Sequence, residues 1–162
     1  MDSDRSDAPE MLGFEDFFLL VEPRLRAALT ALYGSDMGRE ATAEAIAWSF
    51  EHWDRVERLD HPVAYLYRVG QTRTRRLRRR WRPAFPLEPA PEVPDVDPRL
   101  AGALDGLAER QRVAVILVHG HAWTPREVAE LMGISTSTVA THVARALDHL
   151  RRSLEASEHD RA

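Results

Sequence analysis

Two groups of residues have types and spacings suited to holding a nucleic acid. The first is a run of seven arginines between positions 73 and 82, with no acid among them. Guanidinium groups at that density neutralise phosphates, which supplies the sequence-independent part of nucleic-acid affinity. Arg73, Arg75, Arg76, Arg79 and Arg80 are the phosphate candidates, with Arg68 just upstream. Gln71 and Thr72 are placed for base contact, and Tyr65 and Tyr67 offer rings on which an unstacked base can lie, unless they turn into the core. The second group is Ser135, Thr136, Ser137, Thr138, Thr141 and His142. Small hydroxyls on the leading turns of a helix can bond base edges in a major groove, and a threonine methyl can meet a thymine methyl. Arg126 and Arg145 flank this group as phosphate clamps, which position a helix without reading sequence. The plain alternatives are a solvated basic face for the first group and a helix cap in an ordinary helical hairpin for the second.

A helix-turn-helix must position the second group. Thr124 is an N-cap, Pro125 suits the first helical position, and Glu127 stands where a capping-box carboxylate reaches back. Val128, Ala129, Leu131 and Met132 form the apolar face of that short helix. Gly133 is a left-handed helix stop, and Ile134 packs back into the core. Ser135 caps a longer helix whose stripe is Val139, Val143, Ala146, Leu147 and Leu150. Two further helices precede it: one opens at Asp97-Pro98 and carries Leu100, Ala103, Leu104 and Leu107, and the next, from Glu109 to about His119, buries Val113, Ile116 and Leu117.

The arginine run needs a different frame. Apolar residues from Phe14 to Leu32 recur at helical spacing, with Pro23 as a kink or division. Glu40 to Val56 reads as a second helix, with Ala43, Ile46, Ala47, Phe50 and Trp53 inward and Trp48 partly exposed. A third, from Pro62 to about Arg80, turns Val63, Leu66, Val69 and Leu77 to the core and continues without a break into the arginines. The second helix also carries acids, Glu44, Glu51 and Asp54, beside Trp48 and Trp53: either a solvated face or a surface for another protein.

Prolines at 83, 86, 89, 91, 94 and 98 preclude a regular helix and mark residues 82–98 as an acidic linker. The expectation is therefore an all-α chain of two small helical domains, 13–81 and 99–154, with disordered tails at 1–12 and 155–162.

Charge distribution sharpens this. The chain of 162 residues carries a formal net charge of −4, which taken alone argues against nucleic acid. The positive charge is concentrated in the arginine run of an otherwise acidic or neutral chain, and a concentrated stripe is the more telling pattern. There is no cysteine, which excludes disulfides and thiolate-ligated zinc. His119-x-His121 lacks a third ligand at suitable spacing, so no metal and no cofactor are expected. No apolar run reaches the length of a membrane span, the acidic N-terminus does not read as a signal peptide, and a cytoplasmic protein is expected. No nucleophile–base pair or phosphate-cradling glycine loop points to an enzyme.

With these elements in place, the chain resembles the extracytoplasmic-function (ECF) group of bacterial RNA polymerase sigma factors, within the sigma-70 family. Residues 107–151, LAERQRVAVILVHGHAWTPREVAELMGISTSTVATHVARALDHLR, are similar to that family's region 4, a winged-helix-like helix-turn-helix. HPVAYLYRVGQTRTRRLRRR, residues 61–80, is similar to the end of region 2, and EHWDRV, residues 51–56, to the acidic-aromatic stretch before it. The chain departs from the pattern at Ile46-Ala47, where a Gln-Glu pair is usual, at Gln71-Thr72, where Arg-Asn is typical, and at Ala140, where a basic residue is frequent. The resemblance implies −35 element recognition by the helix-turn-helix and −10 recognition with strand opening by residues 65–82. It also implies docking of Glu44, Trp48, Glu51, Trp53 and Asp54 on the β′ clamp helices of core polymerase, a region 4 contact with the β flap, and control by an anti-sigma or other regulatory protein. Two other functions compete: a stand-alone helix-turn-helix regulator that no longer docks on polymerase, and a helical interaction module with no DNA role.

Overall fold

The computed structural model describes residues 13–80 and 98–159, with side chains from 13–75 and 99–156. The expected tail at 1–12, the linker and the side chains of Arg76, Leu77, Arg79 and Arg80 lie outside that set. Among the described residues all regular structure is helical, in two helical domains.

The first domain comprises α1 (Phe14–Tyr33), α2 (Ser35–Glu51), the single turn α3 (Trp53–Val56) and α4 (Pro62–Arg80). Helix α1 runs through Pro23 as one element. The residue whose carbonyl Pro23 leaves without its helical donor, Leu19, is 69% exposed, so water can serve it. The break after α1 is one residue, Gly34, whose φ of 82° only glycine adopts readily. Its N–H closes α1 on the Thr30 carbonyl at 2.8 Å.

Helix α2 corrects the sequence expectation. It buries Gly38, Ala41, Thr42, Ala45 and Ser49, while Ala43 and Ala47 face solvent and Phe50 is 67% exposed. The physical reason is closeness of approach. A Cβ added at Gly38 would stand 2.5 Å from the Thr30 Cα, so α1 and α2 pack nearly backbone to backbone and only small side chains fit between them. The buried hydroxyls stay bonded: Thr42 donates to the Gly38 carbonyl and Ser49 to that of Ile46, each at 2.7 Å. Helix α4 also comes close at Gly70, where a Cβ would meet the Leu29 side chain at 2.9 Å and the Ala41 carbonyl at 3.2 Å. Its inward face is Ala64, Leu66, Tyr67, Gly70 and Thr74, with Val63 and Val69 half-buried beside it.

The second domain comprises α5 (Pro98–Asp105), α6 (Glu109–Val115), α7 (Pro125–Met132) and α8 (Thr136–His159). Here the apolar stripes fall as the spacing predicts. Val113, Leu117, Val128, Leu131, Val139 and Ala146 are buried; Leu147, expected on the stripe, is the exception at 38% exposed, because it lies at the edge of the face that α8 turns inward. Helix α6 widens into a π-helical turn over Ile116–Gly120, and the chain then passes through Ala122 at a φ of 54°. Helix α8 extends to His159, beyond the expected end at Leu154, because Leu154, Glu155 and Ala156 are good helix formers with no breaker among them.

The two domains touch. One apolar cluster joins Leu25, Leu29 and Leu66 of the first to Val113, Leu117, Val128 and Val139 of the second.

Candidate nucleic-acid and polymerase interfaces

The helix-turn-helix is built by local bonds. Glu127 N–H donates to the Thr124 hydroxyl at 3.3 Å, and the Thr124 N–H donates back to the Glu127 carboxylate at 2.8 Å. That reciprocal pair fixes the start of α7. Gly133 ends it with φ 66° and ψ 40°, its N–H and that of Ile134 both reaching the Ala129 carbonyl. Ser135 then caps α8, its Oγ accepting from the Thr138 N–H at 3.1 Å.

This geometry sorts the hydroxyl candidates. Ser135 Oγ also pairs with Ser137 Oγ at 2.9 Å and Thr138 Oγ1 at 2.8 Å, so its first role is structural. Thr141 turns its hydroxyl back onto the Ser137 carbonyl at 3.0 Å. Thr136, Ser137 and Thr141 are exposed on the leading turns of α8, and His142 is half-buried with its Nδ1 lacking a partner among the described residues. Arg145 is exposed one turn further on. Arg126 is exposed at the start of α7 and leans on Glu130 at 3.4 Å.

On α4 the candidates divide. Arg68, Thr72 and Arg75 are exposed, and Gln71 is half-buried. Tyr67 is withdrawn from the DNA-facing set: it is 4% exposed, and burial pushes its phenol well above the ordinary range. At that position the core outcompetes the solvent face, because α4 turns residues 66, 67, 70 and 74 inward. Tyr65 remains on the surface side, 5.6 Å from the Trp48 ring and under the Arg55 guanidinium at 5.3 Å. Trp48, Tyr65, Arg68, Thr72 and Arg73 line an open cleft of about 330 Å³ between α2 and α4. Its aromatic wall is braced by His52, stacked on Trp48 at 4.3 Å. Arg73 is held at the rim by Glu44, at 3.0 Å.

The acidic set is not one surface. Glu44 faces α4 through Arg73, and Trp53 packs against Phe14 and Phe17 at 5.3 and 5.0 Å. Glu51 and Asp54 are exposed. Beside them lies Phe50, exposed and not inward as its spacing predicts. Among the described residues no group of acids and histidines is arranged to hold a metal.

Sequence reasoning also missed the residues that join the domains. Arg24 of α1 donates to the Glu127 carboxylate at 2.8 Å and lies over the Trp123 ring at 4.2 Å. Arg112 of α6 donates to the Ala31 and Leu32 carbonyls at the end of α1, at 3.4 and 3.1 Å. His61 Nδ1 stands 3.3 Å from Glu130. The Thr124 N–H and Arg24 together hold the Glu127 carboxyl down at about 2. A cleft of about 430 Å³ opens along this junction, between Leu20, His61, Trp123 and Leu131.

Comparison with known proteins matches this arrangement. Residues 99–150 fit the model of the family described as Sigma-70, region 4. Over 161 aligned residues the chain is 30% identical to the RNA polymerase sigma-E factor of Streptomyces coelicolor, covering 93% of this chain and 91% of that one. The chain belongs to the ECF group of sigma-70 factors. The sigma-E factor of Streptomyces avermitilis is 29% identical over 93% of this chain and 90% of its own, and that of Streptomyces antibioticus 32% identical over 72% and 69%. The fold is shared with the sigma factor RpoE of Bartonella quintana, solved in complex with the anti-sigma factor NepR, at a TM-score of 0.65 and 22% identity over 88% of this chain and 96% of that one. As a sigma factor the chain binds core RNA polymerase and promoter DNA and directs transcription initiation. In its terms, residues 99–150 of the second domain correspond to region 4. No described helix is long and apolar enough to cross a membrane.

Proposed function

We propose that region 2 of this sigma factor holds the −10 element with its strands parted, and that the leading turns of α8 read the −35 element in the major groove. The observation that carries the first half is the cleft between α2 and α4. Trp48 and Tyr65 give it an aromatic wall, and Arg68, Thr72 and Arg73 give it a rim that favours phosphate. A base leaving the duplex needs both. Arg75 extends the cationic surface along α4, with Gln71, Arg76 and Arg79 as its expected neighbours. For −35 reading, Thr136, Ser137, Thr141 and His142 face the bases, Thr138 supports them, and Arg126 and Arg145 clamp phosphates. Docking on core polymerase rests on Glu51 and Asp54, with the exposed Phe50 supplying apolar area; Glu44 and Trp53 hold the frame beneath them, while Trp48, packed against His52 and Tyr65, belongs to the cleft instead.

The chain acts in the cytoplasm as a dissociable specificity subunit without catalysis of its own. An anti-sigma protein governs it, in keeping with the complex in which its structural neighbour was solved. The domain limits proposed are 13–81 and 99–154, with the linker at 82–98.

In vitro transcription with purified core polymerase tests this. Trp48→Ala should reduce run-off and permanganate reactivity at the −10 element by roughly five- to 100-fold, the worth of one stacked base, while binding to a −35 duplex stays unchanged. Undiminished strand opening would sink the assignment of the cleft. A DNA shift by the wild-type chain without any transcript would favour the stand-alone regulator.

A further inference from the structure

Each aromatic wall of the cleft between α2 and α4 is backed by an exposed residue. Trp48 carries the His52 imidazole on one face, the ring centroids 4.3 Å apart and the planes 12° from parallel. Tyr65 carries the Arg55 guanidinium, 5.3 Å from its ring centroid. The lining of the cleft includes Trp48 and Tyr65 but neither His52 nor Arg55, so the two backing groups meet their rings from outside it.

His52 is tied to the place it occupies. The Trp48 carbonyl, in the last turn of α2, accepts from the His52 backbone N–H at 3.1 Å and from its Nδ1–H at 2.9 Å. A carbonyl oxygen only accepts, so the ring nitrogen facing it carries the proton. The carbonyl of His52 in turn accepts from the N–H groups of Arg55 and Val56, at 3.0 and 3.1 Å, and so starts α3. One residue therefore ends the helix that carries Trp48 and begins the turn that carries Arg55.

Neither backing side chain serves the core. Both are exposed, and the residue that seats this corner is Val56, 1% exposed. What they touch are half-buried rings, Trp48 and Tyr65. An imidazole laid flat on an indole and a guanidinium over a phenol ring each favour one orientation of the ring beneath. A wall free to turn must be ordered when it takes up a base, which weakens capture, and a wall already held avoids that loss.

We infer that His52 and Arg55 are positioning residues for strand opening. They hold Trp48 and Tyr65 from behind, so that the sides of these rings turned to the cleft receive an unstacked base without first being ordered. The inference rests on the reading of this cleft as the −10 site.

Holoenzyme assembled from the full-length chain tests it, with permanganate reactivity at the −10 element and run-off as readouts. His52→Ala and Arg55→Ala should each lower both by about three- to tenfold, the effect of ordering one side chain on binding, while affinity for a −35 duplex holds to within about twofold. His52→Phe keeps a ring on Trp48 and should recover at least about half of wild-type opening; a chain as defective as His52→Ala overturns the role of the stack. In a Trp48→Ala chain, His52→Ala should change opening by less than about twofold, and in a Tyr65→Ala chain the same holds for Arg55→Ala. Losses that persist in those backgrounds overturn the inference, because the residues then act on DNA or polymerase directly. Full opening by His52→Ala and Arg55→Ala, beside a Trp48→Ala chain that fails to open, overturns it too and leaves the cleft assignment standing. A Trp48→Ala chain that opens as well as wild type removes the cleft assignment and the inference together. Proton NMR of the free chain adds a readout that needs no polymerase. The His52 ring resonances should lie upfield of those of the exposed His121, and Trp48→Ala should abolish the displacement. Resonances that the substitution leaves in place overturn the stacking on which the role of His52 depends.

Discussion

At the scale of single residues, Glu127 does the most. Its carboxyl lies at about 2 in the folded chain against an ordinary 4.5, chiefly because the Thr124 N–H and then Arg24 bond the ionised form. A carboxyl depressed on folding stabilises only while ionised, so this contribution is complete above pH 4.5 and is lost as pH falls from there towards 2. Thermal melts across that window should show a modest loss of stability, since the carboxylate is exposed and its pairing is screened by solvent. Glu127→Gln, which keeps the capping geometry but not the charge, should flatten the curve and start from a lower plateau. Ala122 presents the opposite case. It holds a left-handed φ of 54° with a Cβ that disfavours it. Ala122→Gly should therefore stabilise by about 0.5–1 kcal/mol, or about 1–4 °C in a thermal scan. Arg145 tests the division between clamping and reading. Arg145→Ala should weaken binding to all DNA sequences about equally and lower the salt slope by about one unit, whereas a sequence-selective loss would make it a reader.

At the scale of elements, what was legible in the sequence follows a physical rule. The helix-turn-helix could be read residue by residue because its signals are local: Thr124 to Glu127 spans three positions, and Gly133 announces its own backbone conformation. Helix α2 could not be read that way. Its buried face is made of Gly38, Ala41, Thr42, Ala45 and Ser49, residues that carry almost no hydrophobic signal, while Phe50 draws a false stripe on the outside. Small residues are buried there by close approach of two backbones, a property of the pair of helices and not of α2. Tyr67 failed for a related reason: an amphipathic ring takes either side, and only the neighbouring helix decides. Gly38→Ala measures this closeness. A Cβ placed 2.5 Å from the Thr30 backbone cannot be absorbed by a side-chain rotation, so α1 and α2 must part. The expected cost is about 1–3 kcal/mol in urea unfolding, far above the slight gain that alanine brings to an exposed helix.

At the scale of the whole molecule, the sequence divides where the structure joins. Proline and charge mark a boundary near residue 82, yet Arg24 and Glu127 meet across 103 positions and Arg112 reaches Ala31 across 81. Local periodicity says which face of a helix is apolar and nothing of which distant face will cover it, so the junction was invisible in advance. Its consequence is cooperative. Because Leu25 and Leu29 share one apolar cluster with Val113 and Leu117, neither domain can unfold without exposing the other's surface. Amide hydrogen exchange of the free chain should therefore give similar opening free energies for the centres of α1 and α6. Arg112→Ala leaves the apolar residues in place but strips the donors from the end of α1, so it should separate the two values, α6 becoming the more labile. If the wild-type chain already shows two well-separated values, the domains open independently and the shared cluster contributes little to holding them together.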